Sequence, residues 1–533
     1  MKDNNNEINT LEGENHSQKK FGLRWGVIIA PVSIFAALIV LGFTDSSAFL
    51  KVLWGIFEKL MVSLGWLVDL GCLSFVIFLA VLCFHPVGKI KFGGKDAKPR
   101  YSTWNWWAIS ICAGIGTGIV FWAAPEPLLF SMEPAPGVEM IAGSRDAIIW
   151  AMRTSFLHWT FTPYAIYITI GVIVGYAYYN MRKPYNISSG FVPMIGDKAL
   201  GNTFSTTVDA LTVFAITGGV AGSLGYGLLQ IGSGLKYVFG IEPGPVVWVG
   251  IAMIIIVAYN ISSISGLDKG IKWLSDKNAW AFIVFMIFAL IFGPTSYILN
   301  LTTQSMGAFL NNFLEAMTFT DPFPDSGLWP QWWDMYWFVD WLSFGPIVGL
   351  FLIKLCYGRT IREFIVVNWL LPSVFGMIWF GVFGGLTLNA QFNLGYDLYG
   401  FMQANGLESV MLKIFDFLPL ATILRPLMII LIILSFVTLA DSMTSTVSLM
   451  TLKNNMNVKE APAVIKLCWG LLMGLTSIIF VLNGGLEGIK VVKTLAGFPI
   501  LFIEIAMMVG FIVYMYNKPK EEIEEKVEKS EVV

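Results

Sequence analysis

Residues 331–364 read QWWDMYWFVDWLSFGPIVGLFLIKLCYGRTIREF. The stretch opens on a crowd of aromatics and carries one carboxylate, Asp340, inside an apolar run. It then reaches Phe344-Gly345-Pro346 and closes on the basic sequence Gly358-Arg359-Thr360-Ile361-Arg362-Glu363. The apolar part, 333–357, is long enough to cross the hydrocarbon layer of a membrane as a helix. At helical spacing Trp333, Trp337, Trp341 and Phe344 share one face, with Asp340 beside Trp341. The Gly-Pro pair predicts a break in that helix. Asp340 lies about 10 Å past Trp333 at 1.5 Å per residue, at a depth where an acid is costly and, as a rule, functional.

The rest of the chain is of the same kind. It has 533 residues, of which 56% are hydrophobic and 13% charged, and its mean hydropathy is +0.69. Soluble domains carry about twice that charged fraction. Apolar runs recur near 24–43, 62–84, 104–131, 147–180, 205–238, 245–260, 278–300, 333–357, 366–389, 425–451, 463–483 and 493–516. They predict an all-α polytopic membrane protein of about twelve spans. The membrane body covers 24–516, with two leading helices (24–84) and two halves (104–300 and 333–516). Residues 1–23 and the acidic 517–533 are polar tails. The N-terminal tail does not read as a cleavable signal.

Lys89, Lys91, Lys95, Lys98 and Arg100, then Arg182 and Lys183, fall after even-numbered spans. So do Lys269, Lys272, Lys277, Lys354, Arg359, Arg362, Lys453 and Lys459. The opposite side carries fewer, including Lys51, Lys59, Arg145, Lys413, Arg425, Lys490 and Lys493. This bias places both termini in the cytoplasm. The five cysteines lie in or beside apolar spans and read as packing residues, and the three histidines have no metal spacing. No nucleic-acid partner is indicated.

Two spans are interrupted comparably, at Ala113-Gly114-Ile115-Gly116-Thr117-Gly118 and at Phe344-Gly345-Pro346. Paired Gly/Pro interruptions point to two inverted five-helix repeats with a transport site near the bilayer midplane. The alternative is that these glycines only allow helices to approach closely.

Three stretches together resemble the betaine/carnitine/choline transporter family: CAGIGTGIVFWAAPEPLLF at 112–130, SISGLDKGIKWLSDKNAW at 263–280, and the Trp-rich eighth span running into GRTIREF. FLHWTFTPYAIY at 156–167, SLGYGLLQIGSGL at 223–235 and VTLADS at 437–442 add shorter echoes. The resemblance implies a fold like that of the inverted-repeat sodium symporters (leucine-transporter-like), a homotrimer in the cytoplasmic membrane, and transport of trimethylammonium compounds. Family members work by sodium or proton symport, or by ion-independent exchange.

A quaternary ammonium has no N–H, so a cage of aromatic faces must hold it. Matching to the family's fourth-span and eighth-span patterns places Trp159, Tyr164, Tyr167 and Trp341 at cage positions. Asp340 and Phe344 stand where tryptophans are usual. Three readings of Asp340 stay open: pairing with the substrate's ammonium, binding a coupling sodium or proton, or a structural ion pair, for instance with Arg153 or Arg425. Gly114, Gly116 and Gly118 resemble the all-glycine form of betaine carriers, in which the broken helix receives a carboxylate; choline carriers tend to have an acid at the last position. The conflict between that leaning toward a zwitterion and an acid in the cage stands at this point.

The family's sodium site would use Thr438 and the carbonyls of Cys112 and Ile115. Leu439 replaces a second hydroxyl expected there, and Val220 replaces a threonine tied to another sodium position; a hard cation loses affinity with each lost oxygen. Sodium is therefore one candidate coupling ion and ion-independent exchange its rival. The chain has no HExxH, GxSxG or Walker A motif, so an enzyme is not expected; no cofactor is expected. The reading is a secondary transporter importing a betaine-like methylated amine such as glycine betaine. The alternatives are an exchanger of carnitine-type or less methylated amines, and a transporter-like solute sensor.

Overall fold

The computed structural model describes residues 22–114, 117–264, 268–323, 327–453, 455, 458 and 461–517. Backbone groups in a bilayer have no water to bond, so helices that satisfy themselves are the natural solution for such apolar runs. Among the described residues the only β pairing is two isolated bridges, Leu23 with Leu452 and Lys91 with Thr360.

The chain begins with α1 (Trp25–Thr44) and α2 (Ser46–Phe84), joined at Asp45, whose carboxylate caps α2 by accepting from the Ala48 amide at 2.9 Å. The third apolar run is in pieces: α3 (Thr103–Gly114), α4 (Thr117–Trp122) and α5 (Pro125–Met132). The fourth is α6 (Arg145–Trp159) and α7 (Phe161–Tyr179), divided at Thr160, which has φ −126 and ψ −104. Then come α8 (Asn202–Phe239), α9 (Pro245–Ile264), α10 (Asp268–Phe292) and α11 (Thr295–Asn311). The chain ends with α12 (Asp334–Ile353), α13 (Ile361–Phe392), α14 (Ala421–Met450) and α15 (Ala463–Tyr516).

Among the described residues eight helices, counting α6 with α7 as one, are long and apolar enough to cross a membrane. A ninth would be the bent pair Trp280–Phe292 and Thr295–Asn311. The protein is a polytopic helical membrane protein. Its outer helices expose large apolar side chains, such as Ile29 and Phe43 on α1 and Trp66 and Leu70 on α2, which water would not favour in such number.

The structure departs from the sequence reading at three places. First, α12 runs unbroken through Gly345-Pro346. Pro346 removes one N–H from the helix, yet the helix continues past it. A Cβ on Gly345 would stand 3.0 Å from Ile170, and one on Gly349 would stand 3.0 Å from the Tyr167 carbonyl. The glycines of this span therefore serve close approach to α7, as small residues four apart do in membrane helices.

Second, the run predicted to span 278–300 turns by 110° after Phe292. Gly293 and Pro294 end α10, and α11 leaves in a new direction.

Third, Lys490 and Lys493 are not loop residues. α15 is 54 residues long, about 81 Å if straight, and cannot be one span. It reverses at Gly485, whose φ of 51 and ψ of −135 are open to glycine. A Cβ on Gly488 would lie 3.3 Å from the Phe480 carbonyl, where a straight helix would leave about 12 Å. The returning arm starts well before 493, so both lysines lie inside it and are buried.

The basic stretch after α12 is also internal. Arg359 donates to the Tyr101 carbonyl at 2.9 Å and to Thr103 Oγ1 at 3.2 Å, and its guanidinium lies 4.8 Å from the Trp106 ring centroid. Thr360 and Glu363 cap the start of α13 reciprocally. Gly358 has φ +80, and a Cβ there would be 2.4 Å from the Lys98 carbonyl carbon. The stretch thus clamps the 91–103 segment to α13.

Candidate functional site

A chamber lies where α7, α8, α12, α14 and the returning arm of α15 meet α4. α12 supplies one wall. Trp337 and Trp341, four residues apart, stack with ring centroids 5.7 Å apart and planes 18° apart. Trp159, at the end of α6, stands edge-on to both, at 4.6 Å from Trp337 and 5.0 Å from Trp341. Tyr167 on α7 meets Trp341 at 6.3 Å and Tyr164 at 6.2 Å. Phe344 also lines the chamber. The predicted cage residues Trp159, Tyr164, Tyr167, Trp341 and Phe344 are thus brought together. Trp337, seen on the same face from spacing, joins them.

Asp340 faces the same chamber and has a partner the sequence did not suggest. Lys493 Nζ lies 2.7 Å from each carboxylate oxygen, with both residues buried. The same ammonium is 4.7 Å from the Tyr226 ring centroid, 5.2 Å from that of Phe344, and 3.5 Å from Ser223 Oγ. Tyr226 is in turn hydrogen-bonded to Tyr336. Of the three readings of Asp340, an ion pair is what forms, but not with the named arginines. Arg153 stands 3.9 Å from Glu315, and Arg425 pairs with Asp416. The signal for Lys493 was a lysine within VVKTLAGFPILFIE, eight residues after a Gly-Gly pair; a span begun at 486 would have enclosed it.

The cage tryptophans are held from behind. Trp159 Nε1 donates to Glu126 Oε2 at 2.7 Å, and Trp341 Nε1 donates to the His158 carbonyl at 2.9 Å. His158 Nδ1 is 2.6 Å from Glu126 Oε1, and its Nε2 is 2.6 Å from Asp334 Oδ1. All three side chains are buried. Each of the three lies in a stretch quoted above for the family resemblance, but no spacing within one stretch links them.

Gly118 lines the chamber, and a Cβ on it would be 2.9 Å from Trp159 Cη2 and 3.0 Å from Cζ3. Gly118→Ala is expected to push that ring, at a strain of about 1 kcal/mol or more. The Michaelis constant for substrate uptake should rise several-fold, with the thermal midpoint falling by about 2 °C; unchanged uptake kinetics would mean the ring has room to yield. Gly114 ends α3 and Cys112 belongs to it, whereas Ile115 and Gly116 lie outside the described residues. Thr438 on α14 donates its hydroxyl to the Ser435 carbonyl of its own helix at 2.9 Å. Leu439, beside it, lines the chamber.

A buried chamber with aromatic walls and one balanced ion pair, inside a bundle of membrane helices, is the kind of site in which a membrane protein binds a small solute. The sequence profile of BCCT, the betaine/carnitine/choline family transporter, matches residues 26–520. The chain is 32% identical over 488 residues to a probable glycine betaine transporter of Desulfitobacterium hafniense (strain Y51), covering 88% of this chain and 95% of that one. It is 32% identical over 475 residues to an ectoine/hydroxyectoine transporter of Virgibacillus pantothenticus (89% and 93%). It is also 31% identical over 501 residues to the glycine betaine transporter OpuD of Bacillus subtilis (strain 168) (93% and 96%). The chain belongs to the betaine/carnitine/choline transporter family, and is accordingly a transporter and not an enzyme.

Proposed function

We propose that this transporter imports a small zwitterion of the betaine type, a quaternary or N-methylated amine carrying a carboxylate, with glycine betaine the first candidate. The observation that carries the reading is the charge balance of the chamber. Asp340 and Lys493 cancel, so the side chains lining the chamber carry no net charge. A net-neutral solute enters such a space without leaving an uncompensated charge, whereas choline would bring one. The conflict between Asp340 and the glycine motif disappears once Lys493 is counted. The ammonium would stand among Trp159, Trp337, Trp341 and Tyr167, each ring contributing roughly 0.5–2 kcal/mol, and the carboxylate would meet Lys493. The named solutes of the similar proteins, glycine betaine and ectoine, agree with a zwitterion.

The same reading takes the chain as about twelve spans with two inverted five-helix repeats, trimeric, in the cytoplasmic membrane with both termini inside. A second reading, exchange without sodium, is favoured by one observation at the sodium position: Leu439 lines the chamber where a hydroxyl was expected.

The test is uptake of labelled glycine betaine, ectoine, choline and carnitine into proteoliposomes. Each is run with a sodium gradient, a proton gradient, neither, and with substrate preloaded. Concentrative uptake of zwitterions is expected, with choline at least about tenfold poorer in kcat/KM, equivalent to 1.4 kcal/mol. Uptake only with preloaded substrate selects the exchanger. Preference for choline would overturn the charge argument, and absence of any net or exchange transport would favour a sensor.

A further inference from the structure

We propose that Glu126, His158 and Asp334 form a proton-binding site whose occupancy sets the affinity of the substrate cage. The proposal rests on the zwitterion reading above and adds to it a second ligand, the proton, bound at residues outside the chamber lining.

The proton count follows from geometry. Both ring nitrogens of His158 lie 2.6 Å from a carboxylate oxygen. At that separation each contact must contain a hydrogen. A neutral imidazole has only one N–H. The three groups therefore share two protons, either as an imidazolium between two carboxylates or as an imidazole with one carboxylic acid, and carry a net charge of −1 in both cases. A third proton, taken from water onto a carboxylate, makes the cluster neutral. Loss of one leaves −2 and breaks one of the two contacts.

The neighbours of the cluster are few. Lys490, on the returning arm of α15, acts on Glu126. Its ammonium sits 3.8 Å from the Trp333 ring centroid and 3.8 Å from the exposed Glu487. Arg153, on α6, acts on Asp334, and Asp69, on α2, interacts with Asp334. The neighbouring α11 and the 371–392 part of α13 contribute no acidic or basic side chain.

What makes this proton site functional is its attachment. Glu126 holds the Trp159 ring by its N–H, and the His158 backbone holds that of Trp341. The cluster is the rear support of both tryptophans, and its net negative charge lies behind the faces that would receive an ammonium. Neutralising it removes that attraction. Deprotonating it releases His158 from one support and loosens Trp159 and Trp341 together. Affinity for a betaine therefore has a maximum at the two-proton state and falls on either side. Linkage requires the reciprocal effect: substrate binding releases protons on the acid side of the maximum.

The experiment is calorimetric titration of the purified full-length transporter with glycine betaine, in buffers of differing ionisation enthalpy, between pH 5 and 9. The expected result is a fractional proton released per betaine bound on the acid side, with affinity falling about tenfold from its maximum, the scale of one charge acting across a ring in a partly screened interior. Asp334→Asn keeps an acceptor for the histidine but removes one titratable group, and should abolish or displace that proton release while betaine still binds. If that variant does not fold, Glu126→Gln supplies the comparison. Betaine binding with heats independent of buffer and affinity flat across the range would overturn the proposal, as would a proton release unchanged in the folded variants, since it would then come from Asp340 and Lys493. No binding of glycine betaine or ectoine would instead refute the zwitterion reading, and this proposal with it.

Discussion

Lys493→Met is expected to change what the transporter selects. It leaves Asp340 as an unbalanced charge in the chamber, so a solute with net positive charge replaces the missing ammonium. The ratio of choline to glycine betaine in kcat/KM should rise at least about tenfold, because a unit charge about 5 Å away in a partly screened interior is worth some 3 kcal/mol. The reciprocal change, Asp340→Asn, leaves Lys493 unbalanced and should suppress cationic solutes further. Both single variants should also lower the thermal midpoint of the substrate-free protein, since stranding one member of a buried ion pair costs about 3–5 kcal/mol. The double variant Asp340→Asn/Lys493→Met is expected to recover much of that stability, because it removes both charges together. Parallel uptake assays and thermal melts check each part. Unchanged selectivity in both single variants would show that substrates never approach the pair.

Trp159 separates two contributions that meet in one side chain. Trp159→Leu removes both the ring and its hydrogen bond to Glu126. The loss in kcat/KM for betaine should be about 30-fold or more, from a cation–π contact of up to 2 kcal/mol and a charge-assisted hydrogen bond of similar size. Trp159→Phe keeps an aromatic face and removes only the N–H, so the loss should be smaller than that of the Leu variant but still about tenfold or more, the worth of the hydrogen bond alone. If the two substitutions are equally damaging, the support from Glu126 matters more than the ring face. If Phe is harmless, the hydrogen bond contributes nothing to holding the cage.

The aromatic wall was legible in the sequence because it is local. Trp337, Trp341 and Phe344 follow helical spacing, and Tyr164 and Tyr167 sit three apart in a recognisable motif. Trp159 came from the same motif, although the bend at Thr160 that turns it toward the others leaves no hydropathy signal. The Asp340–Lys493 pair was not legible. Its members are 153 positions apart, and nothing in one chain's pattern states which distant residues meet. Lys493 was further hidden because two lysines near a Gly-Gly pair look like a loop, when the turn takes up little more than Gly485. The Gly345-Pro346 interruption was overread for a related reason. Glycine and proline together read as a break, whereas here the glycine serves close packing against Ile166 and Ile170 and the helix runs on. The Glu126–His158–Asp334 cluster draws on three separate helices, none carrying a metal or catalytic spacing that would have flagged it.

The reversal at Gly485 makes the returning arm a lever. Lys493 sits eight residues beyond that glycine, about 12 Å along the helix, so a 10° swing at the pivot carries its ammonium about 2 Å. The contact with Asp340 is 2.7 Å long, and a displacement of that size parts it. The contact between the two charges is therefore geared to the backbone angle at a single residue, and a change there parts Lys493 from Asp340 with no side chain changing its rotamer.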